Sequence, residues 1–200
     1  MTTHRILSIF SHRSPTINGV ANREDRLSTF LMDNIGINIP IKNLHLSGDS
    51  RIRKMRIADL ILEQLNEKGL LASEGENLQY FRQQYGIGMY SSPEQTKSAP
   101  GAVTLFTEST GSIRIYLNPF LDNFAQDYRL ETVVEEGMHA KLLDGAKKAR
   151  PVLEDEVIIK NKLLEAADLF EFGKERIRFI TEKRDEASVK LEIKEPGMRL

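Results

Sequence analysis

The stretch ETVVEEGMHAKLLDG, residues 131–145, places Glu131, Glu135, Glu136 and His139 close together in the chain. On an α-helix, residues four apart share a face, so Glu131, Glu135 and His139 form one stripe. Glu136 lies one position further round, three before His139. Carboxylate oxygens and an imidazole nitrogen on one face are a donor set for a divalent metal, and an adjacent glutamate suits proton transfer. The same residues also make an ordinary solvated helix with a favourable glutamate–histidine pair. Spacing alone does not separate the two readings.

With histidine in place of Glu135, the segment Glu135-Glu136-Gly137-Met138-His139 would read H-E-x-x-H. In that motif two histidines at i and i+4 bind zinc and the intervening glutamate is the general base. Residues 102–170 resemble a minimal zincin core in layout. A hairpin (AVTLFT…SIRIYL) is followed by the motif helix (LETVVEEGMHAKLL) and then by an acidic turn into a second helix (LEDEVIIKNKLLEAADLF). The resemblance implies that His139 is a metal ligand, Glu136 the base, and Glu154 or Glu156 the third ligand, ahead of Asp155 or Glu165. It also implies that the edge strand of the sheet positions a peptide above the cleft. The departure is Glu135, a carboxylate where the family has imidazole. That ligand favours Mn²⁺ or Fe²⁺ more than imidazole does and lowers the positive charge of a zinc site. The expected set is therefore Glu135, His139 and Glu156 as metal ligands with Glu136 as base, holding Zn²⁺ or a harder ion. If the motif is structural, no cofactor is expected.

Other chemistries fit less well. Di-iron bundles need Glu-x-x-His on two helices, and of the four histidines (His4, His12, His45 and His139) only His139 follows a glutamate by three. A glycosidase pair of Glu136 and Asp144 would lie about 12 Å apart along a helix, outside either usual carboxylate geometry. His4 and His12 bracket a predicted strand and would be about 26 Å apart if extended. His45 reads as a structural histidine. The chain has no G-x-S-x-G elbow, P-loop or dinucleotide-binding glycine pattern.

The elements that must hold these residues follow from patterning. Residues 5–10 (RILSIF) read as a buried strand, residues 20–35 as a helix, and residues 37–46, interrupted by Pro40, as an edge strand or extended loop. Helices are expected over 50–71, with Met55, Leu60, Ile61 and Leu65 as its apolar face, and over 75–85. A loop rich in Gly, Ser, Pro and Lys should span 86–100. Strands at 102–107 and 112–117 form a hairpin in which Ile113, Ile115 and Leu117 share a face. Asn123 with Gln126 is a capping-box candidate for a helix running to about Leu143. A long helix should cover 152–172 and a shorter one 174–182, with a weakly alternating strand at 187–193. The basic run Arg51–Arg56 reads as a solvated helix face, and the aromatic group around Tyr80 and Tyr85 as core.

The expected class is α+β: helix-rich, with a small antiparallel sheet and a zincin-like C-terminal core. The 86–100 loop is the one plausible boundary, dividing residues 1–90 from 101–200 unless the whole chain is one domain. The sequence has 200 residues, net charge −1 and no cysteine. Those values exclude a disulfide framework and a thiol nucleophile, and argue against a general nucleic-acid binder. No apolar run suffices for a signal-peptide core or a bilayer span, so a cytoplasmic protein without membrane association is expected, with signal-independent export left open. The functional expectation is a metallopeptidase-like protein with an altered, weak or inactive metal site, acting on protein or peptide. The alternative is a non-catalytic binding or regulatory protein.

Overall fold

The computed structural model describes residues 23–40, 48–147 and 152–194. The strand expected at 5–10, most of the extended segment 37–46, and His4, His12 and His45 lie outside or largely outside these residues. The architecture is helix-rich α+β with a two-stranded antiparallel sheet. Helices α1 (Arg23–Ile35), α2 (Ser50–Glu67), α3 (Glu74–Tyr85) and α4 (Pro93–Ser98) precede β1 (Ala102–Thr107) and β2 (Ser112–Leu117). A 3₁₀ turn (Leu121–Asn123) then leads to α5 (Gln126–Ala146), α6 (Val152–Glu165) and α7 (Lys174–Lys194). Among the described residues, no helix is long and apolar enough to cross a membrane.

Local chemistry sets several helix ends. The Asp49 side chain caps α2 by accepting from the Arg51 N–H. Ser73 with Glu76 and Ser92 with Gln95 form capping boxes at α3 and α4, and Pro93 occupies the first turn of α4. Gly86 stops α3 in the left-handed conformation, φ 69°. The expected loop 86–100 thus contains a short capped helix. The capping box expected at Asn123 and Gln126 does not form. Asn118 instead accepts from the Phe120 N–H, the chain winds into the 3₁₀ turn, and α5 starts from Ala125 with no side-chain cap.

The C-terminal elements also depart from expectation. Helix α6 stops at Glu165, and Glu171, at φ 53°, turns the chain while its carboxylate binds Arg23, Arg53 and Ser50. The strand expected at 187–193 is the last part of α7. Ala187, Val189, Leu191 and Ile193 do alternate with Ser188, Lys190 and Glu192, but the segment continues a helix whose preceding turns pair their charges at helical spacing, as in Arg178–Glu182 and Lys183–Glu186. The 51–56 run is only partly a solvated face, because Arg53 binds Glu171 and Lys54 reaches Asp127 of α5 at 2.5 Å. Met55, expected on the apolar face of α2, is exposed.

The hydrophobic core runs through α1, α2, the hairpin, α5, α6 and α7, with Leu31, Ile61, Ile115, Leu130, Val134, Ile159, Leu163 and Phe170 buried. Two glycines fix α5 within it. A Cβ on Gly137 would sit 2.6 Å from Ile35 Cγ2, so α1 crosses α5 where only glycine fits. A Cβ on Gly101 would meet Thr132 and Tyr128 of α5 at 2.8–2.9 Å, and the Gly101 N–H donates to the Tyr128 hydroxyl. These contacts lay β1 across the middle of α5.

The expected hairpin forms, with Thr104 opposite Ile115 and Phe106 opposite Ile113. The outer edge of β2 is covered: the Ile115 N–H donates to Leu70 O and its carbonyl accepts from the Ala72 N–H. Because Ile115 turns both groups outward, Ile115 and Thr104 form a non-hydrogen-bonded pair. Thr104 and Phe106 therefore direct their own N–H and C=O away from β2. Among the described residues, no strand pairs with that edge of β1.

Candidate metal centre

Helices α5 and α6 face each other through two i,i+4 pairs in opposite senses. Glu135 and His139 on α5 meet Lys160 and Glu156 on α6 respectively. Lys160 Nζ lies 2.7 Å from Glu135 Oε1, and His139 Nε2 lies 3.5 Å from Glu156 Oε1. One turn earlier on α5, Glu131 is buried, binds Arg176 of α7, and lies 3.2 Å from Lys160 Nζ. Glu136 faces β1, where the Thr104 hydroxyl donates to its carboxylate at 2.6 Å. All of these side chains line a cleft of about 740 Å³. One wall is the strand segment Gly101–Phe106, and another is the face of α7 carrying Arg176, Phe179, Lys183 and Lys190.

Electrostatics follow from burial and these pairings. Burial pushes the Glu135 carboxyl up to about 7; Lys160 opposes this, while Glu131, Glu156 and Glu136 add to it. Burial likewise raises Glu136, against the pull of His139 and the Thr104 hydrogen bond. Burial disfavours the His139 imidazolium, but Glu156, Glu136 and Glu135 outweigh it and hold the imidazole above its ordinary value. Burial would raise Glu156, but its contacts with His139 and Lys160 bring it below the usual carboxylate range. Burial would lower Lys160; Glu135 and Glu131 override it and raise the ammonium well above normal. Carboxyls pushed toward neutrality in a cleft are the environment of a functional acid or base.

Of the residues singled out from sequence, Glu135, His139 and Glu156 each bring one ligand atom to within 4.8 Å of the others. Glu136 stands beside them with its carboxylate on Thr104. The other third-ligand candidates lie apart from this group. Glu154 is exposed; Glu165 is exposed and pairs with Lys162; Asp155 is buried and lines the cleft without belonging to the ligand group. Sequence reading missed Thr104, Lys160 and Arg176. Lys160 had a faint signal, since it follows Glu156 by four and shares its helix face. Thr104 and Arg176 reach the site only through tertiary packing.

The donor set fits a divalent ion that accepts oxygen. One imidazole nitrogen and two carboxylate oxygens span little more than the width of a four-coordinate site with ligands at about 2.0–2.2 Å. The opposing feature is Lys160, already bonded to one of the donors. No family model, curated protein or solved structure matches this chain.

Proposed function

We propose that the cleft is a peptide-binding metal site of the zincin type, with Glu135, His139 and Glu156 as ligands of a divalent ion and Glu136 as general base. The observation that carries this reading is the convergence of three donor side chains beside the half-buried Glu136, beneath the unpaired edge of β1. A bound ion would supply Lewis acidity toward a peptide carbonyl. The protein's own residues do the rest. Thr104 and Phe106 present outward N–H and C=O groups that pair with an extended peptide as an added strand. Glu136, raised by burial and aimed by the Thr104 hydroxyl, takes or returns a proton at its carboxylate. The carboxylate at Glu135 makes this a weaker hydrolytic site than one with imidazole there, since it lowers the positive charge on the ion.

Calorimetric titration with Mn²⁺ and Zn²⁺, with His139→Ala as control, tests the reading. The expected result is one ion per chain, lost in the variant. Absence of binding, with a melting temperature indifferent to metal and chelator, overturns it. A second reading, a non-catalytic protein that holds peptides in the same cleft, is favoured by the Lys160 ammonium 2.7 Å from Glu135, which neutralises that carboxylate without metal. Peptide binding that survives both chelator and His139→Ala would select it.

A further inference from the structure

Lys160 is the feature of this cleft that a metal site does not need. It is 5 % exposed and Glu131 is 1 % exposed, so ammonium and carboxylate meet away from water. Its Nζ carries three N–H donors, and two carboxylates lie within 2.7 and 3.2 Å of it. Arg176 binds the other oxygen of Glu131, so that carboxylate is held from two sides. Among the described residues, no arginine binds Glu135 as Arg176 binds Glu131, and Glu135 depends on Lys160. A divalent ion drawn to Glu135, His139 and Glu156 must therefore approach a fixed positive charge already bonded to one of its three ligands.

We infer that Lys160 is the resident cation of the cleft, its ammonium occupying Glu135 in competition with a divalent ion and so setting the metal affinity of the site. This rests on the reading of Glu135, His139 and Glu156 as a ligand group. Lys160 alone makes the native site a poor one, and removing its charge makes the same three side chains a better one. Two consequences separate this role from a purely structural ion pair. A neutral side chain at position 160 raises metal affinity. It also makes the stability of the folded chain depend on metal, because Glu135 then lacks its cation.

The test is titration of the full chain with Co²⁺, followed by calorimetry and visible absorption. The proteins are the native chain, Lys160→Met and Lys160→Gln, each with and without His139→Ala. Lys160→Gln retains side-chain N–H donors for Glu131 and Glu135, and serves if Lys160→Met does not fold. The expected result is tightening by about 10-fold or more, a size typical of altered partners around metal ligands, abolished by His139→Ala. Co²⁺ should also raise the melting temperature of the Lys160 variants more than that of the native chain. If folded Lys160 variants bind no tighter than a native chain whose binding depends on His139, Lys160 is not the competitor and the metal reading stands. If only the Lys160 variants bind, and His139 is required, the competitor role holds and native metal loading fails. If none of them binds Co²⁺, both fall.

Discussion

At the scale of single residues, the site couples protons to folding and to metal. Glu135 titrates near 7 instead of 4.5, so between those values the folded chain holds more protons than the unfolded one. Its contribution to stability therefore falls as pH rises across that window, by up to about 3 kcal/mol. His139 is raised above 6.5; its stabilisation is complete below 6.5 and is lost as pH rises through the folded value. Both act in the same direction, so the metal-free protein should melt at a lower temperature at about pH 8 than at about pH 6. Glu135→Gln should flatten that slope; an unchanged slope would show that Glu135 does not carry it. Metal binding shows the opposite trend, because the ligands must lose their protons: affinity should rise with pH through about 7. Thr104→Val removes the hydroxyl donor to half-buried Glu136 and should cost about 1–3 kcal/mol in denaturant unfolding, while shifting Glu136 further up. A cost near zero would mean that another donor takes over.

At the scale of elements, the decisive contact is α5 on α1. Gly137→Ala puts a methyl 2.6 Å from Ile35 Cγ2 and should destabilise the protein by about 1–3 kcal/mol. Ile35→Ala in the same chain should recover part of that loss, since it vacates the space; additive losses in the double-mutant cycle would place the strain elsewhere. This contact also marks the limit of what sequence patterning conveys. The hairpin was legible because alternation in SIRIYL and the Thr110-Gly111 turn are local, and the stripe Glu135–His139 because a helix repeats every 3.6 residues. The extent of α7 was not legible, because Lys190 and Glu192 fall on one phase of a strand's alternation while Lys190 also lies one helical turn from Glu186. Nor was the partner of each site residue. Glu156 could be named a ligand from its place after the motif helix. That Lys160 would face Glu135 depends on α6 running back along α5, and the opposition of Thr104 to Glu136 depends on Gly101 seating β1 against Tyr128 and Thr132.

At the scale of the whole molecule, the cleft exists because three distant segments close around α5. Strand β1 precedes it, α6 follows it, and α7 is tied back to it by Arg176 on Glu131. The strand wall offers unpaired backbone, and the pairing phase decides which residues offer it. Phe106, opposite Ile113 in a non-hydrogen-bonded pair, directs its N–H toward the cleft, whereas Leu105, opposite Arg114, spends its N–H in the ladder. Proline at these neighbouring positions should therefore have unlike effects. Phe106→Pro removes a cleft-facing donor and leaves the ladder intact, so it should fold and lose affinity for an extended peptide drawn from a random-sequence display library. Phe106→Ala, which loses the ring and keeps the N–H, separates backbone from side chain and should bind better than the proline variant. Leu105→Pro breaks the hairpin and should lower the melting temperature instead. Fluorescence anisotropy with the labelled peptide, beside thermal melts, reads both effects. Equal peptide affinity in Phe106→Pro and Phe106→Ala would mean that the free edge of β1 does not hold the peptide and that the wall formed by α7 does.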